Sequence, residues 1–272
     1  LLARSLYDLR TFDAGFRRDH LLLVSPDTSA VLKDTAQRQY TQAALDAIRH
    51  LPGVRSASAS IVIPMSGSSW QRDFVAIDQA PARGSDSHCY MNLISPDYFK
   101  TLGTRLLLGR DFTDSDNGAS PKVAVVNQAF AQRNWGGQDP LGRQFHEVDK
   151  KEIYTVVGVV EDAKYRDFRK AAPAVVYLPL LQTESLMGWD PQLEIWTHGD
   201  PHSLIAPVRE LLAAQLSGVS VNYQTFTELI DERLLYERLL TALAISFGAL
   251  GILICAVGIY GVAAYAVSCR TA

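Results

Sequence analysis

The glycines of GQDPLGR, residues 137–143, have the spacing of a phosphate-binding loop. That kind of loop needs a lysine to reach the phosphates and a serine or threonine to hold magnesium. Here Arg143 stands at the lysine position and Gln144 stands at the hydroxyl position. We therefore interpret the segment as a structural turn and expect no nucleotide there.

The acidic segment DFTDSDNG, residues 111–118, has the oxygen-rich composition of a calcium-binding loop. When Gly118 is placed at the sixth position of such a loop, Thr113 takes the first position and Ala124 takes the twelfth. Calcium loops of this kind are closed by a bidentate glutamate at the twelfth position. The sequence therefore leaves open only a weak cation site at the surface.

His198 and His202 are four residues apart, as zinc ligands on a helix would be. However, Gly199 and Pro201 lie between them and prevent a regular helix, and neither a cysteine nor a third histidine is near in sequence. A zinc site needs three or four such ligands. We predict a solvated turn instead.

Cys89 directly follows His88, and such a neighbour could activate a thiol as a nucleophile. The surrounding HCYMNLIS has strand composition, and consecutive side chains of a strand face opposite ways, so we predict that the two do not act together. Cys89 is the only cysteine before position 239, which excludes a disulfide framework there. Motifs of hydrolases, dinucleotide enzymes and zinc proteases are absent from the sequence, so we predict a protein that is not an enzyme and has no cofactor.

The composition excludes several further classes of protein. The 272 residues are 47% hydrophobic and 20% charged, with a net charge of -3. These values do not fit a disordered chain, and they do not provide the basic surface that nucleic acids require. All 29 acidic residues and 25 of the 26 basic ones precede position 239, so Arg270 is the only charged residue beyond it.

Residues 239–267 form one apolar stretch without a charged residue, asparagine, glutamine, histidine or proline. As a helix this stretch would be roughly 43 Å long, whereas the hydrocarbon core of a bilayer is about 30 Å thick. We therefore predict a transmembrane helix at 239–267. The alternative is a buried helix of a soluble core, but such helices rarely run past about 20 residues without a polar face.

Small residues recur within this apolar stretch at steps of four, three, four and three, which places them on one side of a helix. They are Ala244, Gly248, Gly251, Cys255 and Gly258. In lipid, small side chains allow the close backbone approach through which helices associate. We therefore predict that this stripe packs against another transmembrane helix. The alternative is a single anchor that faces lipid on all sides.

Short strands and helices alternate through the first 224 residues, so we predict an α+β domain over residues 1–224. The predicted helices are 35–51, a short one that Ser95 caps with Pro96 in its first turn, one from Asn127, and 201–216. The predicted strands are 20–24, 58–63, 74–77, 90–94, 123–126, 154–160, 174–178, 193–196 and 219–223, and a turn is expected at Gly109.

Thr225 and Glu228 have the spacing of a capping box, which predicts the start of a helix. An amphipathic pattern follows over residues 225–238, and no breaker separates it from the apolar stretch. We predict a stalk helix at 225–238 that continues into the transmembrane helix without a flexible linker.

Several segments together carry a family resemblance. SPDYFKTLGTRLLLGRDFTDSD, VAVVNQAFAQRNWGGQDPLGRQF, YTVVGVVEDAKYRDFR and AVVYLPL resemble the periplasmic core domain of MacB-type ABC transporter permeases. The closing AVGIYGVAAYAVSCRT is similar to the start of an FtsX-like permease domain. The whole chain most resembles the acidobacterial group of duplicated orphan permeases, which lack a fused ATPase.

The resemblance implies a bacterial inner-membrane protein whose residues 1–238 are extracytoplasmic, in the periplasm, and whose Arg270 is cytoplasmic. Basic residues on either side of the apolar stretch do not by themselves distinguish the two orientations. In this family, transmembrane helices also precede and follow such a segment, so we expect this chain to be part of a longer permease. The implied partners are those helices, an ATPase subunit in trans and a second copy in a homodimer.

The leading hypothesis is a permease-like subunit of an ABC-type export system, for efflux or for export of lipoproteins or peptides. Its outer domain would be moved through a continuous helix by ATP-driven changes in the cytoplasm. The alternative is an outer module that binds a peptide or lipid and signals through its helix, for which Trp70 and Trp189 in turn-like segments are candidate contacts. A plain anchored scaffold is a third hypothesis, and the stripe of small residues argues against it.

Overall fold

The structure is a computed structural model that describes residues 15–77, 88–148, 150–164 and 171–268. The chain divides into two compact units, Leu1–Thr227 and Glu228–Ala272. The strands of the described residues are β1 Leu21–Pro26, β2 Val54–Ser60, β3 Gln71–Ala76, β4 His88–Ile94, β5 Leu106–Gly109, β6 Val123–Asn127, β7 Gln144–Glu147, β8 Ile153–Val160, β9 Val175–Pro179, β10 Gln192–Thr197 and β11 Val221–Thr225. The α-helices are α1 Asp34–Arg49, α2 Tyr98–Leu102, α3 Gln128–Trp135, α4 Ile205–Gln215 and α5 Phe226–Ser268.

Four strands from the two ends of the first unit form an antiparallel sheet in the order β11-β1-β10-β2. The chain order β1-α1-β2 and β10-α4-β11 gives this layer the split βαβ arrangement of ferredoxin-like folds. Ala44, Leu45 and Ile48 recur at helical spacing on α1 and are fully buried. Helix α1 packs on β2 and on α4 through this apolar side.

The strands that lie between β2 and β10 in the sequence form a second layer. Strand pairing follows the order β4-β3-β7-β8-β6-β9, and a parallel pairing of β9 with β4 closes the ring. The rings of Phe74, Phe130, Phe145 and Tyr154 contact one another at centroid distances of 5.2–6.5 Å. We call this closed ring of six strands the barrel, and these aromatic residues form part of its core.

The two layers join at a narrow connection. Within the described strands, β2 and β4 pair in register only at Ser60 and Ile94. Backbone hydrogen bonds from Ile61 to Leu93 and from Ser95 to Ala59 extend this connection by one step on each side. The predicted strand 58–63 is therefore shifted, because β2 ends at Ser60, where the chain leaves the sheet for the barrel.

The α+β class predicted for the first domain is confirmed, but some local predictions are wrong. Helix α2 begins at Tyr98 after Asp97, which has a φ of 66°, and Ser95 is not its cap. The Ser95 hydroxyl instead accepts a hydrogen bond from the Ala59 amide. Strand β5 is absent from the predicted strands, because its four residues are partly or largely exposed and give no alternating pattern.

Gly109 ends β5 and turns the chain at a left-handed φ of 72°. A Cβ at this position would collide with the Val157 carbonyl oxygen of the neighbouring β8. The predicted turn is therefore present, and both the backbone conformation and the close approach require glycine there.

Helix α5 begins at Phe226, directly after β11, and ends at Ser268, so all but its first two residues belong to the second unit. Its exposed large apolar side chains among the described residues are Leu243, Ile245, Phe247, Leu250, Ile252, Leu253, Ile254 and Ile259. Counting only the described residues, none of the helices offers a stretch with the length and apolar character that a bilayer crossing needs. The division into a stalk at 225–238 and a membrane span at 239–267 stays a prediction.

Candidate functional site

The barrel has a cavity of about 210 Å³ next to the segment that follows β9. Met91 and Leu93 of β4 and Leu178 of β9 contribute apolar side chains to its wall, because alternate residues of these strands face the same side. Trp70, Pro179 and Met187 add to the apolar lining. The cavity therefore lies between the barrel and the connection from β9 to β10.

Two tryptophans stack at this site. The rings of Trp70 and Trp189 are nearly parallel, at 10°, with a centroid distance of 6.3 Å. The Arg72 guanidinium lies 5.3 Å from the Trp70 ring centroid, within the range of a cation–π contact. Trp70 is buried, whereas Trp189 is 37% exposed. The tertiary structure thus brings together two residues that are 119 positions apart in the sequence.

Most polar groups that line the cavity already have partners inside the chain. The Glu147 carboxylate lies 3.1 Å from Arg72 Nε and 3.1 Å from Lys150 Nζ. Lys122 Nζ donates to the Gln182 carbonyl oxygen. The Tyr154 hydroxyl donates to Glu152 at 2.7 Å, and burial together with this hydrogen bond raises the pKa of Tyr154. The two lysines are therefore engaged, which leaves the apolar lining and the exposed carboxylates of Glu152 and Glu184 as the surface available for contact.

The segment between β9 and β10 is held by the ferredoxin-like layer. The Asp34 carboxylate of α1 accepts hydrogen bonds from the Leu186 amide at 2.7 Å and from the Ser185 hydroxyl at 3.2 Å. At the other end, the Asp190 carboxylate accepts from the amides and hydroxyls of Thr28 and Ser29 and from Gln37 Nε2, at 2.6–3.1 Å. The cavity wall on this side is thus fixed by contacts outside the barrel.

The segment 137–143 forms turns between α3 and β7. Its Arg143 donates to the Gln138 side chain at 2.5 Å and to the Asp139 carbonyl oxygen at 3.0 Å. The guanidinium thus contacts groups of its own turn, as the interpretation of this segment as structural requires.

In the acidic loop 111–118, the Asp116 carboxylate accepts from both Arg110 guanidinium nitrogens, at 2.7 and 2.8 Å, and from the Thr113 amide. These contacts lower the pKa of Asp116, with the Arg110 hydrogen bond as the largest cause. Burial raises the pKa of Asp111 to about 6. Among the described residues, no group of three or more histidine, cysteine and acidic side chains is arranged to hold a metal ion.

Cys89 and His88 face opposite sides of β4, as the strand pattern predicts. The Cys89 thiol is buried and accepts a hydrogen bond from Arg133, and burial raises its pKa despite this nearby cation. The His88 imidazole is largely exposed and lies 2.6 Å from Asp73. The two histidines with the spacing of zinc ligands have separate partners: His198 accepts from Arg55, and His202 contacts Asp200.

Residues 6–215 match the family model of the MacB-like periplasmic core domain, which is more than half of the chain. The chain belongs to this family. This result confirms the resemblance carried by the segments between residues 95 and 180. No curated protein sequence matches the chain.

The MacB-like periplasmic core domain of this chain also resembles solved structures. The periplasmic region of MacB from Actinobacillus actinomycetemcomitans has a TM-score of 0.55 at 15% identity, over 85% of this chain and 97% of that one. A domain of a permease protein from Porphyromonas gingivalis has a TM-score of 0.51 at 16% identity, over 78% of this chain and 94% of that one. At these identities the likeness concerns the fold, and it agrees with the family match.

The MacB-like domain contains one buried carboxyl group that the sequence analysis does not single out. Glu194 of β10 is fully buried and accepts hydrogen bonds from the Ser58 hydroxyl at 2.8 Å and the Ser60 hydroxyl at 2.5 Å. Burial raises the pKa of Glu194 to about 7. The alternation of serine and alanine in SASAS of β2 is the signal that could have indicated it, since it predicts a small polar face on a buried strand.

Beyond the segment matched by the family model, α5 contains the predicted stripe. Gly248, Gly251, Cys255 and Gly258 lie in this helix and are exposed, and Ala244 lies in the same helix. A Cβ added to any of the three glycines would meet no atom within 4 Å outside the helix's own nearby backbone. Thr225 directly precedes α5 and Glu228 lies in its first turn, and their capping hydrogen bonds stay a prediction.

Proposed function

We propose that this protein is a permease-like membrane subunit of an ABC-type export system. In this proposal residues 1–238 lie outside the inner membrane, in the periplasm, and residues 239–267 cross it. Membership of the MacB-like periplasmic core domain family supports a role as a membrane-associated component of an ABC transporter. That family consists of transporter permease domains rather than enzymes, which agrees with a role in transport.

The observation that carries the proposal is the apolar surface of α5. Eight large apolar side chains between Leu243 and Ile259 are exposed, and no charged residue occurs between positions 239 and 267. Full burial of one such side chain is worth roughly 1.5–3 kcal/mol. Because these side chains are 54–73% exposed, covering all eight is worth roughly 8–15 kcal/mol. Lipid or other transmembrane helices are environments that provide this cover.

The proposed mechanism uses α5 as the element that transmits movement. An ATPase subunit in trans would drive changes in the cytoplasm, and the helix would pass them to the outer domain. The small residues Gly248, Gly251 and Gly258 would let another helix of the full permease, or the same helix of a second copy, approach closely. Efflux of a substrate, or export of a lipoprotein or peptide, would result from the movement of the outer domain.

The membrane orientation can be tested by labelling cysteines from one side of the membrane. Ser217 lies in an exposed turn after α4, and the native Cys269 follows the apolar stretch. We expect a membrane-impermeant maleimide to label S217C in spheroplasts, whereas Cys269 should be labelled only after the membrane is permeabilised. The matched control is S217C with C269S, which should lose only the second signal.

Two results would contradict the proposal. One is the recovery of the protein in the aqueous fraction after carbonate washing of membranes. The other is equal labelling of S217C and Cys269 from the outside, because both positions would then lie on the same side of the membrane.

A further inference from the structure

The size of the cavity beside Trp70 limits what can enter it. Pockets for drug-sized ligands usually measure roughly 300–1,000 Å³, whereas this cavity measures about 210 Å³. A whole ligand of that kind does not fit inside. The space suits a single large side chain, and aromatic residues buried in pockets are enriched among the strongest contacts between proteins.

The chemistry of the lining favours an apolar group. Leu93, Leu178 and Met91 are buried at the cavity wall, and Trp70 offers an aromatic surface. Methionine adapts its shape to a partner and makes favourable contacts with aromatic rings. An aromatic side chain that enters between Met91 and Trp70 would therefore gain both hydrophobic burial and ring contacts.

The rim of the cavity exposes apolar surface that the rest of the domain does not cover. Met187 is 59% exposed and Trp189 is 37% exposed. The chain turns at this rim through two consecutive left-handed residues, Met187 and Gly188, with φ values of 54° and 79°. Because Asp34 and Asp190 hold both sides of this turn, the rim is already ordered before any partner binds.

The basic and the acidic side chains at the rim differ in whether they have partners within the chain. Lys122 and Lys150 are held by the Gln182 carbonyl oxygen and by Glu147. By contrast, the exposed carboxylates of Glu152 and Glu184 form no ion pair within the part of the chain that the structure describes, and Glu152 only accepts a hydrogen bond from the Tyr154 hydroxyl. A positive charge placed beside Glu152 and Glu184 would therefore meet carboxylates with which no basic side chain of the described residues pairs.

We propose that this cavity binds a peptide segment in which an aromatic residue stands next to a basic residue. The aromatic side chain enters the cavity against Trp70, and the basic side chain lies at the mouth near Glu152 and Glu184. Such a segment would belong to a protein or peptide outside the membrane. This binding site goes beyond the proposed transport role, and it would exist whether or not α5 transmits movement.

The test uses the whole chain in nanodiscs and short peptides that carry 4-fluorophenylalanine (Fpa), whose ¹⁹F signal reports weak binding. The probe is acetyl-Gly-Fpa-Lys-Gly-amide, and the comparison peptide has glutamate in place of lysine. A third peptide, acetyl-Gly-Ala-Lys-Gly-amide, lacks the ring and is measured by its competition with the probe. We expect the probe to bind at least tenfold more tightly than either comparison peptide, and empty nanodiscs should give no shift.

Two variants locate the binding at the cavity. Thr183 is half-buried and lines the cavity, so T183W should fill it and weaken probe binding at least tenfold. E184Q removes one carboxylate of the mouth and should weaken probe binding about threefold. The matched control is E210Q, which removes an exposed carboxylate of α4 away from the cavity lining and should leave binding unchanged. Near-UV circular dichroism establishes that each variant is folded.

Three results would overturn the proposal. The first is equal binding of the probe and the alanine peptide, which would show that no side chain enters. The second is equal weakening of probe binding by E184Q and E210Q, which would show that the effect of charge does not depend on a carboxylate at the cavity mouth. The third is unchanged binding by folded T183W; if T183W does not fold, the other two comparisons still decide. None of these readouts depends on transport, so failure here leaves the proposed function standing.

Discussion

The barrel and α5 are both rich in large apolar residues, but they differ in where that surface goes. In the barrel, Phe74, Phe130 and Phe145 are almost completely buried against one another. In α5, residues such as Phe247 and Ile252 are at least 70% exposed. The same side-chain chemistry therefore stabilises the fold in one region and is left available for lipid or a partner in the other.

A change inside α5, directly before its apolar stretch, is expected to have the largest effect. Insertion of seven Gly-Ser residues after Arg238 should abolish transport by the full permease, because a flexible segment does not pass on movement of the helix. A seven-residue alanine-rich insertion, which stays helical, is the matched control and should preserve much of the activity. Equal transport by the two variants would contradict mechanical coupling between the regions.

Removal of one aromatic ring from each region tests the comparison directly. F145A leaves a cavity among Phe74, Phe130 and Tyr154 and should lower the free energy of unfolding by about 3–5 kcal/mol. F247A, at a side chain that is 70% exposed, should change it by less than about 0.5 kcal/mol. Denaturant unfolding of the whole chain in micelles, followed by near-UV circular dichroism, measures both. Similar losses would mean that the two apolar regions stabilise the fold alike.

The first unit buries a titratable group, the carboxyl group of Glu194, whereas residues 239–267 of the chain contain no charged residue. The stability of the first unit should therefore depend on pH. Because the folded-state pKa of Glu194 is raised from 4.5 to about 7, the folded protein keeps a proton that the unfolded chain releases. Stability should therefore fall as the pH rises from about 4.5 to about 7, by roughly 3 kcal/mol at most.

The matched variant for this pH effect is E194Q, which retains the shape of the side chain and does not titrate. Urea unfolding at pH 5 and pH 8 gives the free energy of unfolding at each pH. The difference between the two values should be smaller for E194Q than for the wild type. The stability of E194Q relative to the wild type should therefore be higher at pH 8 than at pH 5. An identical pH dependence of the two proteins would show that Glu194 titrates normally.

The smallest effect is expected at the stripe of α5. Replacement of Gly251 and Gly258 by leucine should weaken self-association in micelles about tenfold, which corresponds to about 1.4 kcal/mol. G218A, in the turn after α4, is the control and should not change association. Energy transfer between labelled chains measures both variants, and an unaffected stripe variant would favour the anchored scaffold.

The sequence by itself predicts many of the local elements of the first unit. Strand β6 is a buried apolar run, β8 is an apolar run whose first residues alternate in burial, and α1 shows helical spacing of Tyr40, Ala44 and Ile48. Short-range pattern is sufficient for these elements. Short-range pattern is insufficient for the bounds of β5 and α2. Their residues are few, and contacts distant in sequence, such as Ser95 with Ala59, decide their limits.

The candidate site likewise combines features that the local sequence indicates with features that depend on distant contacts. Trp70 and Trp189 stand out in the sequence as aromatic residues in turns, but their stacking results from the return of the chain from the barrel to β10. The carboxylates of Asp34 and Asp190, which order the rim, are ordinary surface residues in the sequence. Their role depends on partners more than 150 positions away.

What the sequence determined is therefore the composition of each region: the mixed α+β class, the family motifs and an uncharged stretch at 239–267. Such features depend on neighbouring residues and on helical or strand periodicity. The tertiary structure decided the closure of the barrel through β4 and β9, the cavity beside Trp70 and the burial of Glu194. These depend on strand pairing between distant segments, which sets both the available volume and the cost of placing a carboxyl group away from water.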